Sequence, residues 1–314
     1  MEALNKSPTM HARPFQQIDV FTATAYLGNP VAVVLEGAGL DDAQMQGFAR
    51  WTNLSETTFV LPATDPGADY RLRIFTPGGE LPFAGHPTLG SCHAWLGSGG
   101  APRDAQRIVQ QCPIGLVELR RAGRRLAFAA PALRRSAVDA RTLAQVNAAL
   151  GLVPEQVRAA QMLDNGPVWL GLLLDSRDSV LGLQPDHIEL KRLGLKVGVV
   201  AAQGSSDETT LIARHNREAA AFASDAASRS VADFDFEVRA FAAVIGIPED
   251  PVTGSLNASL AQWLVAEGLA PARYVAAQGT CLGRAGRVHI SRDGAEQVWV
   301  GGDTLTCIEG HVQL

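Results

Sequence analysis

Hydrophobic and polar residues alternate along several short stretches of the chain, with the period of two that a half-buried β-strand produces. The first stretch is 15–22, where the apolar Ile18 and Val20 are separated by a polar residue. Similar short runs predict further strands at 31–35, 57–61, 70–76, 107–111, 115–120, 125–130, 168–174, 197–202 and 235–242, and one more beginning at Thr209. Many short strands with few helices between them are typical of the α+β class and not of a parallel doubly wound sheet.

Helical periodicity occurs in fewer places. Amphipathic helices are predicted at 41–54, with Asp41 as the N-cap, and at 139–150. Two more helices, at 87–96 and 254–267, carry no Lys, Arg, Asp or Glu before their last turn. A helix that is apolar or small on every side is a buried helix. Each of these two therefore predicts a sheet that wraps around a central helix.

The two uncharged helices belong to a weak internal repeat. In each copy, a strand containing a phenylalanine leads through an acidic loop with proline and a glycine-rich corner into a helix that ends in Trp-Leu. The spacing runs from Phe75 to Trp95, which is 20 residues, and from Phe241 to Trp263, which is 22 residues. Two copies of one strand–loop–helix unit predict a pseudo-symmetric molecule.

The length of 314 residues is about that of two domains, which agrees with the repeat. We therefore predict two pseudo-symmetric lobes, each a curled, mostly antiparallel sheet around a central helix. The N-terminal lobe is placed at 13–130 and the C-terminal lobe at 131–302. The polar residues 1–14 are interpreted as an extension that frays from the fold.

Composition limits the kinds of binding partner and the cellular compartment that we expect for this protein. The net charge of −5 gives no support for binding nucleic acid or a membrane surface. The four cysteines are far apart and form no Cys-x-x-Cys, so reduced thiols in the cytoplasm are expected. No apolar run is long enough to span a bilayer, and 1–14 lacks the apolar centre of a signal peptide. We expect a cytoplasmic protein.

Each uncharged helix begins at a corner that is suited to bind an anion. The corners are Gly85-His86-Pro87-Thr88 and Asp250-Pro251-Val252-Thr253-Gly254-Ser255. Pro87 fits the first helical position, and glycine at 85 and 254 would let a ligand approach the backbone. The free N–H groups of two helix starts facing one cleft would bind a carboxylate. In the alternative interpretation, Thr253 or Ser255 caps its own helix and the glycines only make turns.

Glu56 is the candidate for proton transfer. It lies between a predicted helix and strand, and burial would raise its pKa enough to let it give and take a proton near neutral pH. The alternative is a capping box with Asn53. His86 either exchanges a proton with a substrate or serves as a structural hydrogen-bonding residue. His93 lies too far along the helix to share a metal with it, and no metal, nucleotide or serine-hydrolase motif occurs.

These stretches together resemble the PhzF-like family of phenazine-biosynthesis proteins and their relatives, over about residues 15–312. The matching motifs are Asp19-Val20-Phe21-Thr22, Gly28-Asn29-Pro30-Val31-Ala32-Val33, Asn53-Leu54-Ser55-Glu56-Thr57, Arg73-Ile74-Phe75-Thr76-Pro77, Glu80-Leu81-Pro82-Phe83-Ala84-Gly85-His86-Pro87-Thr88-Leu89-Gly90 and Glu249-Asp250-Pro251-Val252-Thr253-Gly254-Ser255, with weaker matches at Gln278-Gly279 and Gly301-Gly302.

The resemblance implies the diaminopimelate-epimerase-like fold, with the active site between the lobes, a homodimer and no cofactor. In such folds the last strand commonly returns to the first lobe, and 303–314 is the candidate for it here. The resemblance also assigns roles. Glu56 matches the catalytic glutamate of the family; Gly85 and His86 match the motif at the first helix; Asp250, Gly254 and Ser255 match the motif at the second.

Related epimerases and proline racemases carry a cysteine at each helix corner, and this chain has none there. A two-thiol mechanism is therefore disfavoured. The resemblance implies isomerisation of a small cyclic carboxylate, similar to that of trans-2,3-dihydro-3-hydroxyanthranilate. In this hypothesis Glu56 moves the proton, His86 and Asp250 position the substrate, and backbone N–H groups around Gly85, Gly254 and Ser255 hold its carboxylate. The alternatives are an epimerase or racemase of an amino-acid-like substrate and a non-catalytic protein that binds small carboxylates.

Overall fold

The computed structural model describes residues 10–204 and 233–314, so the strand predicted to begin at Thr209 lies outside the described residues. Within those ranges the chain forms six α-helices and eighteen strands. The helices are α1 (Asp42–Thr52), α2 (Gly85–Gly97), α3 (Ala140–Leu150), α4 (Arg177–Gly182), α5 (His187–Leu193) and α6 (Gly254–Ala266).

The strands divide into two sets, with all of the first set before residue 130. The first set is β1 (Ala12–Val20), β2 (Asn29–Val34), β3 (Thr57–Leu61), β4 (Tyr70–Thr76), β5 (Gly79–Leu81), β6 (Arg107–Cys112), β7 (Gly115–Ala122) and β8 (Arg125–Ala129). The second set is β9 (Arg134–Ser136), β10 (Val157–Asp164), β11 (Val168–Leu174), β12 (Val197–Ala202), β13 (Phe236–Ala242), β14 (Ile247–Asp250), β15 (Arg273–Gln278), β16 (Gly286–Arg292), β17 (Val298–Gly302) and β18 (Thr304–Gln313). We call β1 to β8 with α1 and α2 the first half, and β9 to β17 with α3 to α6 the second half.

The two halves repeat one order of strand pairing, which confirms the pseudo-symmetric α+β fold. In the first half the neighbours run β1-β2-β3-β4-β6-β7-β8, with β5 on β4; the pairs β2–β3 and β4–β6 are parallel and the others antiparallel. In the second half they run β10-β11-β12-β13-β15-β16-β17, with β14 on β13, and β11–β12 and β13–β15 are the parallel pairs. Parallel and antiparallel contacts therefore occur at equivalent places.

The halves are joined at their edges. β8 pairs with β17, which makes one continuous mixed sheet, and β18 pairs antiparallel with β1 while β9 pairs antiparallel with β10. The C-terminal strand thus lies on the first half. The interpretation of 1–14 as a frayed extension is wrong for its last residues. Ala12 opposes Gln313 and begins β1, because backbone pairing stabilises a strand whatever the polarity of its side chains.

The helices α2 and α6 are the centres of the two halves, as their lack of charge predicts. Most of their residues are buried, and α2 packs against β1, β2 and β8 while α6 packs against β10, β16 and β17. The helix α2 begins at Gly85, two residues before the predicted start, so Pro87 is its third residue and not its first. The backbone nitrogen of that position also lacks an intrahelical acceptor, so proline fits there as well.

The remaining helices cover the outside of the sheet. Helix α1 packs on β3 and β4 with Met45 and Phe48 buried, and Asp41 caps it as predicted. Helices α3, α4 and α5 form a second apolar cluster with β10 to β13. Over residues 10–204 and 233–314, no helix is long and apolar enough to cross a membrane.

Candidate active site

A cavity of about 230 Å³ lies between the two halves, beside the starts of α2 and α6. The first half contributes Glu56 and the mostly apolar segment 81–84, and the second half contributes Asp250, Thr253 and Ser255 among others. A volume of this size suits a small ligand. The wall is mainly apolar, so each polar group that enters it has little water around it.

The local sequence places Glu56 at the junction between α1 and β3. Asn53 ends α1 in the left-handed conformation with φ of 54°, so the capping-box interpretation is wrong: Asn53 is a C-cap. Asparagine tolerates this conformation better than most residues. The chain then turns inward, and Glu56 is 9% exposed with its Oε2 3.2 Å from Nε2 of His86 in the first turn of α2.

Glu56 and His86 are both held in their neutral forms near pH 7. Burial, together with the charge of Asp250, raises the pKa of Glu56 to about 8, against a smaller opposing effect of a hydrogen bond from Ser55. Burial lowers the pKa of His86 to about 3. The contact between Glu56 Oε2 and His86 Nε2 is short but is not directed as a hydrogen bond. A neutral acid therefore touches a neutral base, and Oε2 is free to engage a ligand.

Asp250 ends β14 and brings a second carboxyl group from the other half of the molecule. Its Oδ1 accepts from Asn29 Nδ2 at 3.0 Å and its Oδ2 accepts from Thr253 Oγ1 at 2.5 Å. Burial raises the pKa of Asp250 to about 6, although these two hydrogen bonds oppose the shift. Gln278 Nε2 donates to Thr253 Oγ1 at 3.0 Å, so the hydroxyl hydrogen of Thr253 is left for Asp250.

Asn29 is a site residue that the sequence argument missed. Its Nδ2 donates to Asp250 Oδ1 and to the carbonyl of Val252, at 2.9 Å, and lies 3.3 Å from Nδ1 of His86. Asn29 is fully buried and so connects the two halves beside the acid–base pair. The sequence showed only a Gly-Asn-Pro turn, and the partners on the second half lie more than 200 residues away. The same Gly-Asn-Pro motif in the family resemblance was the one signal that pointed to it.

The glycines at the two corners bring the helix starts into contact. A Cβ on Gly254 would lie 3.0 Å from Cα of Gly85, and a Cβ on Gly85 would also meet Phe128 at 2.8 Å. Gly85, His86 and Gly254 therefore lie behind the cavity wall, whereas Ser255 lines it. The missing side chains of Gly85 and Gly254 let the two helices approach each other, so these glycines have a packing role. Binding of a ligand at their backbone stays a prediction.

Neither central helix has a side-chain cap among the described residues. The interpretation of Thr253 as a plain cap is wrong, because its hydroxyl donates to Asp250. Ser255 also does not cap α6, since its Oγ accepts from the indole Nε1 of Trp169 at 3.2 Å. The first turn of each helix keeps the partial positive charge that its N–H groups carry. The cavity is thus bordered by two carboxyl groups and two positive helix ends.

His93 takes no part in this site. Its Nδ1 and Nε2 contact the hydroxyls of Thr304 and Thr306 on β18, at 2.8 and 2.9 Å. Within the two described ranges, no group of three or more His, Cys, Asp or Glu side chains could hold a metal ion.

Comparison with known proteins gives a consistent result over nearly the whole chain. The family model described as phenazine biosynthesis-like protein, PhzC-PhzF, matches residues 18–310. The chain is 35% identical to antisense-enhancing sequence 1 of Schizosaccharomyces pombe, over 96% of this chain and 99% of that protein. It is 32% identical to the trans-2,3-dihydro-3-hydroxyanthranilate isomerase of Pseudomonas aeruginosa, over 95% of this chain and 98% of that protein.

The fold is also that of a solved relative. The crystal structure of the Bacillus anthracis phenazine biosynthesis protein of the PhzF family superposes with a TM-score of 0.77 at 20% identity, covering 97% of this chain and 100% of that one. The chain therefore belongs to the PhzC-PhzF family of phenazine biosynthesis-like proteins, as an isomerase of the PhzF type.

Proposed function

We propose that this protein isomerises a small cyclic carboxylate by proton transfer through Glu56, without a cofactor, in a reaction similar to that of trans-2,3-dihydro-3-hydroxyanthranilate isomerase. The observation that carries the proposal is the buried, neutral Glu56 carboxyl group, 3.2 Å from the neutral imidazole of His86 at the edge of an apolar cavity. A carboxyl group with a pKa near neutrality can both accept and return a proton.

The proposed reaction needs only a base that becomes an acid. A pKa of about 8 leaves a fraction of Glu56 ionised near neutral pH. In that fraction the Glu56 carboxylate removes a proton from a carbon of the ring, and the electron pair of that C–H bond moves into the conjugated system. Glu56 then returns the proton to the far end of that system, so one C–H bond breaks, one forms and a double bond migrates. His86, 3.2 Å from Oε2, positions the reacting groups and tunes the proton transfer, and Asp250 orients the polar group of the substrate.

The carboxylate of the substrate is assigned to the starts of the two central helices. Their uncapped first turns offer N–H groups around Gly85, Gly254 and Ser255, and of these three residues Ser255 lines the cavity. A helix start stabilises an anion through these donors and its partial charge. Holding the carboxylate there would fix the ring carbons against Glu56, and such orientation supplies much of the rate enhancement in reactions of this kind.

The test is hydrogen exchange in heavy water. Trans-2,3-dihydro-3-hydroxyanthranilate and a panel of cyclic amino and hydroxy acids are incubated with the protein, and NMR follows deuterium uptake and double-bond migration. Glu56→Gln should lower turnover by about 10²–10⁴-fold, since it removes the acid–base group while keeping the shape of the side chain. Glu36→Gln, at an exposed position, is the matched control and should react like the wild type.

Normal turnover by Glu56→Gln would reject the assignment of Glu56. Deuterium at an α-carbon without migration of a double bond would instead indicate an epimerase or racemase. Binding of these acids without any exchange would indicate a non-catalytic carboxylate-binding protein.

The proposal includes three organisational features. The repeat of strand order supports lobes at 13–130 and 131–302, with 303–314 on the first lobe. We further propose that the enzyme acts in the cytoplasm and as a homodimer. Sedimentation of the purified chain tests the dimer, and fractionation of the cells that make it tests the compartment.

A further inference from the structure

Lys196 occupies in the second half the position that Glu56 occupies in the first. Glu56 immediately precedes β3, and the first residue of β3 pairs with Phe75 on β4. Lys196 immediately precedes β12, and the first residue of β12 pairs with Phe241 on β13. Phe75 and Phe241 are the equivalent phenylalanines of the sequence repeat. The carbonyl groups of Glu56 and Lys196 also accept from the neighbouring parallel strand, at 3.4 and 2.8 Å.

Both of these equivalent side chains enter the same cavity from opposite halves. Lys196 lines it together with Glu56 and Asp250, and it is the one lysine or arginine in the lining that the structure describes. Across residues 10–204 and 233–314, its ammonium group has neither a hydrogen bond nor an ion pair. Burial lowers the pKa of Lys196, which is the expected response of an ammonium group that lacks a counter-ion.

Trp169 separates Lys196 from the start of α6. The Lys196 Nζ lies over the face of the indole, 5.0 Å from the ring centroid, while the indole Nε1 donates to Ser255 Oγ in the first turn of α6. The two contacts use different parts of one ring. The cavity therefore offers two positive groups at different places: the helix starts and the Lys196 ammonium.

We propose that Lys196 binds a second anionic group of the substrate, so that this enzyme acts on small molecules with two anionic groups on an apolar body. The inference rests on the proposed function, which assigns this cavity to the substrate and its first carboxylate to the helix starts. The described residues provide no counter-ion for the Lys196 ammonium group, and an anionic group of the substrate would provide one. The apolar wall, which includes Leu81 and Ile247, suits the body of such a molecule.

The test uses two planar probes that differ in one carboxylate, benzoate and isophthalate, with binding to the full chain measured by calorimetry at pH 7. We expect the wild type to bind isophthalate about 10–100-fold more tightly, the gain typical of a hydrogen bond to a charged group. Lys196→Met should remove this preference while affinity for benzoate stays within about twofold. Lys196→Arg keeps the charge and should retain most of the preference.

Lys191→Met is the matched control, since Lys191 is exposed in the last turn of α5 and should not affect either probe. Thermal unfolding checks that each variant folds. If Lys196→Met does not fold, Lys196→Gln, which also removes the charge, takes its place and should likewise lose the preference. The inference is overturned if the wild type does not prefer isophthalate or if Lys196→Met keeps the preference. An equal loss of affinity for benzoate and isophthalate in Lys196→Met also overturns the inference, because Lys196 would then bind the single carboxylate that both probes share.

Binding without turnover separates this inference from the proposed function. Glu56→Gln should keep the preference for isophthalate, since the variant lacks only the proton-transfer group. If the protein prefers the dianion but exchanges no hydrogen, the inference about Lys196 stands and the proposed function is rejected. If the protein exchanges hydrogen through Glu56 but shows no preference for the dianion, the proposed function stands and the inference is rejected.

Discussion

The helix starts at the surface of the molecule differ from the two helix starts at its centre. The four peripheral helices α1, α3, α4 and α5 each begin with a side chain that accepts from a first-turn backbone N–H, and these caps are Asp41, Asp139, Ser176 and Asp186. Among the described residues, α2 and α6 have no such cap. Thr253 is at the N-cap position of α6 and has a hydroxyl that could cap the helix, but it does not do so.

The comparison indicates a different role for the starts of the two central helices. A surface helix needs its own acceptor or water for its free N–H groups, and a capping side chain supplies it. At the centre, the hydroxyl of Thr253 contacts Gln278 and Asp250 instead of capping α6, and Ser255 in the first turn of that helix lines the cavity. In the proposed function, an anionic ligand supplies the acceptor that these two helix starts lack.

Among the changes that test this comparison of helix starts, the largest expected effect comes from separating the two at the centre. Gly254→Ala would add a Cβ that meets three backbone atoms of Gly85 and His86 at 3.0 to 3.3 Å. Backbone atoms cannot rotate away, so the helices must move apart and His86 must shift relative to Asp250. We expect the free energy of unfolding to fall by about 1–3 kcal/mol and kcat/KM to fall about 100-fold. Denaturant unfolding and the exchange assay measure the two effects.

Gly47→Ala is the control for this variant at a peripheral helix. Gly47 lies inside α1, and a Cβ added there would meet no neighbouring atom within 4 Å. The substitution should raise the free energy of unfolding by about 0.5–1 kcal/mol, because alanine favours the helix more than glycine does. A Gly254→Ala variant as active as the wild type would show that the contact between the helix starts does not position the site.

A smaller effect is expected from pH, with opposite signs at the centre and at the surface. Glu56 holds its proton in the folded state up to about pH 8, whereas an ordinary glutamate releases it near 4.5. Unfolding between these values releases a proton, so the Glu56 contribution to the free energy of unfolding falls as the pH rises. The cap Asp139 acts in the other direction: hydrogen bonds from Thr142 lower the pKa of Asp139, and its contribution to the free energy of unfolding is lost as the pH falls below 3.8.

The window from about pH 7.5 to 8 isolates Glu56. It lies above the ordinary pKa of His86, 6.5, and above the pKa of Asp250, about 6, so His86 is mostly neutral and Asp250 mostly ionised in the folded and the unfolded states there. Denaturant unfolding should show stability that falls across this window in the wild type and falls less in Glu56→Gln. Equal slopes for both proteins would mean that Glu56 is ionised in the folded state at neutral pH. Glu36→Gln should keep the wild-type slope.

The central helices could be predicted from the sequence, but the network around them could not. The absence of charge in α2 and α6, the glycine corners and the repeated Phe-to-Trp spacing are local patterns, and they predicted the two halves and the corner that holds His86. Glu56 was predicted from its place between a helix and a strand, and the role of Asp250 was implied by the family resemblance. The contacts of Asn29 with Asp250 and Val252 join residues more than 200 positions apart, and periodicity carries no information about such pairs. The same holds for Lys196, whose equivalence to Glu56 appears only when the strand pairings are compared.

The smallest expected effect is the removal of a peripheral cap. Asp41 Oδ1 accepts from the backbone N–H of Gln44 at 2.8 Å, and the Gln44 side chain accepts in return from the backbone of Asp41. Asp41→Ala should lower the free energy of unfolding by about 1 kcal/mol, the usual effect of losing an N-cap, and Asp41→Asn should restore most of it. Neither change should alter kcat/KM in the exchange assay, because the start of α1 does not line the cavity. If the activity of Asp41→Ala fell by more than its fraction of folded protein, peripheral helix starts would also position the site. The contrast between capped and uncapped helices would then have no functional meaning.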